Sequence, residues 1–197
     1  MLFVVALMAF LFPLAYSPGP GNMFFAALGA RFGTVATLPA NAGYHIATLV
    51  VTGLLGMGLV SAVHPGTALF VGLKLAGSVY VMWLAWKMAT SGSTATGMQS
   101  GKAGFLDGVW LLLLNPKAYV IILLMYSQFG AMGPADLLAR VGVISLVFTL
   151  NNLLAFLLWT VAGDGLGRLF RSEAHARRLN MVFAAILAGV GFWMMLA

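Results

Sequence analysis

Long apolar stretches follow one another along the chain with hardly a charge inside them. A helix crossing the hydrocarbon of a bilayer needs about 20 predominantly apolar residues. Cutting at charges and turn signals places six such spans at about 2–29, 39–62, 66–88, 105–129, 138–163 and 178–197. The surface problem decides between buried core helices and membrane spans. Of 197 residues, ten are Lys or Arg and four are Asp or Glu, 7% in all, whereas 62% are hydrophobic. A soluble domain carries about 25% charged residues, so a globular surface cannot be covered here. A soluble enzyme is excluded, and so is disorder, which needs low hydrophobicity and high charge. The fold class is all-α: a polytopic transmembrane helix bundle. The first 15 residues are apolar but lack the positive leader of a signal peptide, and read as a retained first helix.

The net charge of +6 comes from scattered residues; only Arg168, Arg171, Arg177 and Arg178 cluster, around Glu173. Basic loops in a membrane chain set orientation, so nucleic acid is not an expected partner. The loops after spans one, three and five hold Arg31, Lys87, Lys102 and that cluster, against Arg140 and the N-terminal amine on the other side. The positive-inside rule then puts the odd loops in the cytoplasm and both termini outside. With zero cysteines, disulfides, iron–sulfur clusters and cysteine-ligated zinc are excluded. No spacing of metal ligands and no nucleophile–base grouping is visible, so neither metal nor cofactor is expected.

A Gly/Ser/Thr-rich linker at about 91–102 divides a single transmembrane domain into halves of about 1–90 and 103–197, with three spans each. The first span of each half is interrupted: span one by Ser17-Pro-Gly-Pro-Gly-Asn22, span four by Asn115-Pro116-Lys117. Proline removes a backbone donor and clashes with the preceding turn, which lipid tolerates only where protein or a wet cavity satisfies the freed groups. Pro18, Gly19 and Pro20 predict an unwound segment; Pro116 alone is equally compatible with a simple bend. The second spans match as well. Asn41, His45, Thr48 and Thr52 share one helical face, as do Ser145, Thr149 and Asn152. Such groups either bond neighbouring helices or line a path between the halves. An odd number of spans per half gives the halves opposite orientations, the 3+3 inverted repeat of many secondary transporters.

Two lysines fall inside spans. Lys74 lies with Gly77 and Ser78 on a small-residue face of span three, and is either a functional cation or a side chain snorkelling to the interface. Lys117 directly follows the break of span four, where an ammonium can meet a substrate carboxylate or exchange protons. Asp107 and Asp164 fall at one membrane face, as gate or proton-relay groups or, more simply, as interfacial partners of Lys102 and Arg168. His45 titrates near neutral pH when free, although a lone helical histidine is more often a hydrogen-bonded structural residue. Tyr80, Trp83 and Trp86 fit an interfacial aromatic belt.

Three pieces of this chain together carry a resemblance: Ser17-Pro-Gly-Pro20, Lys74-x-x-Gly77-x-x-Tyr80-x-x-Trp83-Leu84, and Leu114-Asn-Pro-Lys-Ala118. The sequence resembles, over its whole length, the lysine exporter/RhtB family of bacterial amino-acid exporters. The run from Tyr80 to Thr90 and Arg168-Leu-Phe-Arg171 look most like the branch that exports cysteine and O-acetylserine. One departure is Gly21, where the family usually has Asn directly after Pro-Gly-Pro; Asn22 matches the second Asn of members with two. The resemblance implies efflux of a small amino acid or derivative, cysteine/O-acetylserine-like or homoserine/threonine-like, coupled to protons, in a bacterial inner membrane. Its partners would be the amino-acid substrate, protons and the lipid bilayer, with a homo-oligomer left open. An integral-membrane enzyme and a channel-like pathway are the alternatives; four scattered carboxylates favour neither.

Topology is directly testable in a chain without cysteine. Cysteines introduced at Gly97 and Ser172 should be shielded from an impermeant thiol reagent in intact cells, while those at Gly66 and Gly133 should label. Labelling at Gly97 from outside would overturn the orientation.

Overall fold

Where the sequence places its first and fourth spans, the chain builds two helices instead of one. The structure, a computed structural model, describes residues 2–58, 67–90, 103–130, 137–169 and 173–196. In chain order its helices are α1 (Leu2–Tyr16), α2 (Pro20–Phe32), α3 (Thr34–Gly56), α4 (Ala68–Thr90), α5 (Phe105–Leu113), α6 (Pro116–Phe129), α7 (Leu137–Leu169) and α8 (Glu173–Leu196). The axis turns by 62° between α1 and α2, and by 62° again between α5 and α6. No strand forms among the described residues. The linker expected at 91–102 and residues 59–66, 131–136 and 170–172 lie outside them.

Both breaks obey one rule of helix grammar. Gly19 is the residue before α2 and Pro20 its first residue; Asn115 is the residue before α6 and Pro116 its first. Proline at a first helical position costs nothing, because its missing N–H would have no intrahelical partner there. Each proline therefore starts a new helix rather than kinking an old one. Span two differs from expectation at its start: α3 begins at Thr34, and Pro39 falls inside the helix. Only the Val35 carbonyl loses its intrahelical donor to that proline.

The burial pattern is inverted relative to a soluble bundle. On α7, Ser145, Thr149, Asn152, Thr160 and Asp164 are buried, while Leu146, Leu150, Leu154, Leu158 and Val161 are exposed. Polar inside and leucine outside is stable only where the surroundings are apolar. Two helices, α3 and α7, are each long and apolar enough to cross a membrane, and each broken pair adds a further such path. The apolar cores of α4 and α8, Phe70–Trp86 and Met181–Leu196, are shorter.

Glycines set how closely the helices approach. A Cβ on Gly29 would strike the Thr160 carbonyl, one on Gly163 the Ala26 carbonyl, and one on Gly167 the Ala30 carbonyl, so α2 and α7 meet backbone to backbone. The same arrangement joins α3 to α5, with Gly43 against the Phe105 carbonyl and Gly108 against the Ala40 carbonyl. Without a hydrophobic drive between helices in lipid, such small-residue contacts supply the packing attraction. On α4, Gly77 faces the Leu114 carbonyl at the second break, whereas Gly72 faces open space.

Gly77→Leu should therefore lower the midpoint of thermal unfolding in detergent and the yield of folded protein, at a cost of about 1–3 kcal/mol or more for forcing a side chain into packed backbone. Gly72→Leu should leave both unchanged.

Candidate functional site

A broken helix leaves carbonyls without donors, and each must find one when no water is near. From Pro13 to Gly19, every carbonyl of the first break has found one. Pro13 accepts from the Ser17 N–H at 3.2 Å, and Leu14 from the Ser17 hydroxyl at 3.1 Å. Ala15 accepts from the Asn22 amide at 3.0 Å, and Tyr16 from the Trp159 indole at 3.2 Å. Gly19 accepts from the Met23 N–H at 2.9 Å. The remaining two carbonyls belong to Lys117. Its ammonium donates to the Ser17 carbonyl at 2.9 Å, to the Ser17 hydroxyl at 3.0 Å and, at 3.5 Å, to the Pro18 carbonyl.

One break thus caps the other. Lys117 places its cation at the C-terminal end of α1, where the helix dipole is negative. The side chain lies so close over Gly19 that a Cβ there would come within 2.9 Å of its Cδ and Nζ. At the second break, Asn115 uses both ends of its amide. The oxygen accepts from the Lys117 backbone N–H at 3.1 Å, an N-cap in reduced form. The nitrogen donates to the Tyr44 hydroxyl at 2.9 Å. The Tyr119 hydroxyl donates to the Leu113 carbonyl at 2.9 Å.

Between the breaks lies a cleft lined by Asn22, Tyr44, Asn115, Lys117, Asn152 and Phe156, closed on its apolar side by α1, α6 and Phe148 of α7. The water-sized space within it is about 10 Å³, room for about one water molecule. The aromatic wall is continuous: Phe25, Tyr44 and Phe156 have ring centroids 4.7–5.9 Å apart. Behind that wall, His45 touches Tyr44 and Phe156 at 5.1 and 5.2 Å between centroids and does not line the cleft. Its Nδ1 is 2.8 Å from the Asn41 carbonyl, which can only accept, so Nδ1 carries the proton.

Of the residues singled out in the sequence, the structure brings together Pro18, Gly19, Pro20, Asn22, Asn115, Pro116, Lys117 and Asn152 at the paired breaks. Asn41 is buried one turn before His45, apart from the cleft. Lys74 is half-buried on α4; its backbone carbonyl accepts from Ser78, and its ammonium makes no hydrogen bond among the described residues. Asp164 follows the simpler of its two readings. It pairs with Arg168 at 2.8 Å and also accepts from the Thr34 hydroxyl and N–H at 2.8 and 3.1 Å, fastening α3 to α7. Asp107, exposed, accepts from the Gly104 N–H at 2.7 Å and so caps α5. Among the described residues no acidic, histidine or cysteine side chains group as metal ligands.

Three site residues escaped the sequence reading: Tyr44, Phe156 and Trp159. A signal was present for each. Tyr44 is three residues past Asn41, and Phe156 and Trp159 are four and seven past Asn152, all on the stripes already marked by polar residues. Aromatic side chains in an apolar chain carry no contrast of their own, which is why only the amides stood out.

The LysE type translocator family model matches residues 12–197. The chain is 29% identical over 174 residues to the cysteine/O-acetylserine efflux protein of Escherichia coli (strain K12), covering 88% of this chain and 87% of that one. The proteins of the same description from Shigella flexneri serotype 5b (strain 8401) and Shigella sonnei (strain Ss046) match to the same extent. No solved structure matches the chain.

Trp159→Phe keeps the ring and deletes the donor to the Tyr16 carbonyl. Leaving a buried carbonyl bare costs about 1–3 kcal/mol, so the variant should unfold at a lower temperature in detergent. An unchanged midpoint would mean that the break is wetter than its hydrogen bonds indicate.

Proposed function

The chain belongs to the LysE type translocator family, and on that premise we propose that it exports a small amino acid or derivative from the cytoplasm across a bacterial inner membrane. Translocators carry solutes without transforming them, so the membrane-enzyme reading falls. The relatives' efflux of cysteine and O-acetylserine makes these the first substrates to try. The proposed architecture is six spans in two inverted halves of about 1–90 and 103–197, with odd loops cytoplasmic, both termini outside and coupling to the proton gradient.

The observation that carries this reading is the seat of the Lys117 ammonium on the Ser17 carbonyl and hydroxyl and the Pro18 carbonyl. These oxygens form a receptor for a primary ammonium, and a side chain of the protein fills it. An amino acid brings both groups needed to exchange with it. Its carboxylate draws the Lys117 ammonium away, and its own ammonium takes the vacated oxygens. Charge and hydrogen-bond number are conserved in the swap, so no bare carbonyl is exposed while the substrate enters. Asn115 and Asn152 offer amide groups beside the same place, and Tyr44 holds Asn115 in position. The small cleft must widen for the swap, which suits a small substrate better than a large one.

Lys117→Met keeps the length and the apolar stem but removes the charge. In proteoliposomes it should abolish saturable flux of cysteine or O-acetylserine; the lost charge-assisted contact, about 1.5–3 kcal/mol, corresponds to about ten- to 150-fold in affinity. Near wild-type flux with an unchanged pH dependence would make Lys117 a structural cap only. Unsaturable wild-type flux would favour a channel.

A further inference from the structure

A second set of polar groups runs beside the cleft and has no partners in the protein. The two amide atoms of Asn41, Nε2 of His45, the hydroxyls of Thr52 and Thr149 and the amide nitrogen of Asn151 are buried without a hydrogen bond. Residue exposure is 2% at Asn41, 4% at His45, 0% at Thr52 and 7% at Thr149. Scattered through a core, such orphans would be unrelated defects. Here all but Asn151 fall in one line. Asn41, His45 and Thr52 share a face of α3, and Thr149 lies between Ser145 and Asn152 on the face of α7 turned toward it. The pairing of the two helices is fixed at three levels: Asp164 meets Thr34, the Asn152 backbone faces His45, and Ser145 lies 3.9 Å from where a Cβ on Gly53 would be. The eleven steps from Asn41 to Thr52 span about 16 Å of helix, about half the thickness of a bilayer's hydrocarbon.

We propose that the α3–α7 seam holds a chain of water molecules that conducts protons, with the imidazole of His45 as its one titratable relay. Buried groups at this depth need partners, and water is the partner that serves donors and acceptors alike. The tautomer is already set for the task. Nδ1–H donates to the Asn41 carbonyl, leaving Nε2 to face the seam on the side of the Asn152 backbone, without a hydrogen bond of its own. In one hop Nε2 takes a proton from a water on one side, giving an imidazolium with its Nδ1–H bond intact. It then releases that proton from Nε2 to a water on the other side, and the ring returns to its starting state. The groups facing His45 do not compete for the proton. Tyr44 is the titratable neighbour on its own helix, and its hydroxyl is engaged by Asn115; α7 presents Asn152 and Phe156. On α5, Asp107 is turned back onto Gly104. Toward the α3 C-terminus the line reaches Tyr126 of α6, bonded to the Thr52 carbonyl and to Ser145. Toward the other end it runs to the Asp164–Arg168 pair. Tyr44 and Phe156 stand between His45 and the amino-acid cleft, and Asn152 borders both, lining the cleft and presenting its backbone to His45.

The inference rests on the carrier reading for its purpose but not for its test. The wild type has no cysteine, so Thr52→Cys and Thr149→Cys can be probed with Ag⁺ in proteoliposomes, reading the block of later maleimide labelling after denaturation. Both should react, whereas Leu49→Cys and Leu150→Cys, at neighbouring positions that face outward, should not. If the two seam thiols are as inert as the lipid-facing ones, the seam is dry and the proposal is overturned. The relay is tested with His45→Asn, which places an amide where Nδ1 bonds Asn41 but cannot carry a proton. It should retain counterflow exchange of cysteine or O-acetylserine and lose accumulation driven by a pH gradient. Accumulation equal to wild type would overturn the role of His45. Absence of both activities in the wild type would count against the exporter reading instead, and the thiol result would still decide whether the seam is wet.

Discussion

Lys117 reaches across a hundred residues of chain to the carbonyl of Ser17, and the two broken spans depend on that bond. Neither break is self-sufficient. The C-terminal turn of α1 ends in carbonyls that its own sequence cannot fill, because Pro18 and Pro20 have no N–H to offer. The first turn of α6 presents a cation that pairs with no carboxylate among the described residues. Joined, each supplies what the other lacks. The closeness of the join is set by Gly19, over which the lysine lies, and on the other side by Gly77, which admits the Leu114 carbonyl. A site made this way is held by backbone geometry more than by side-chain choice, since two of the three oxygens under the ammonium are backbone carbonyls.

The membrane turns this from a convenience into a requirement. In water, the carbonyls at a helix end are solvated and a break is cheap. In hydrocarbon each must be paired within the protein, and the first break recruits donors from α2, α6 and α7 to do so. Three helices are thereby tied to one short segment. The same logic explains why Asn, Ser and Thr concentrate on the inner faces of α3 and α7 while leucines cover the outer ones.

How much of this was legible beforehand follows from what leaves a mark in an apolar chain. Prolines, amides and lysines stand out against leucine, so both breaks and most of the cleft could be marked from the sequence alone. Lys117 is the clearest case, picked out by its place after Pro116. Its partner was not legible, because a backbone carbonyl carries no sequence signature. The start of α3 was misplaced because Pro39 looks like a helix start and is instead an interior residue. Asp164 and Asp107 stand out as rare charges; in the structure Asp164 fastens α3 to α7 and Asp107 caps α5. Rarity of a charged residue marks where electrostatics matters without saying whether it holds the fold or moves a solute.

The five glycine–carbonyl contacts of the α2–α7 and α3–α5 seams share a location. All lie at the end of the bundle where Thr34 bonds Asp164. Each is a notch that accepts one carbonyl and, with a Cβ one residue away, no other, so these helix pairs cannot slide along one another in small steps. The opposite end is built differently. There α1 and α6 meet through Leu7, Leu11, Ile122 and Met125, long side chains that can change rotamer and repack. The notched end is therefore fitted backbone to backbone, while at the other end α1 and α6 meet through side chains and Tyr126 bonds α6 to α3 and α7.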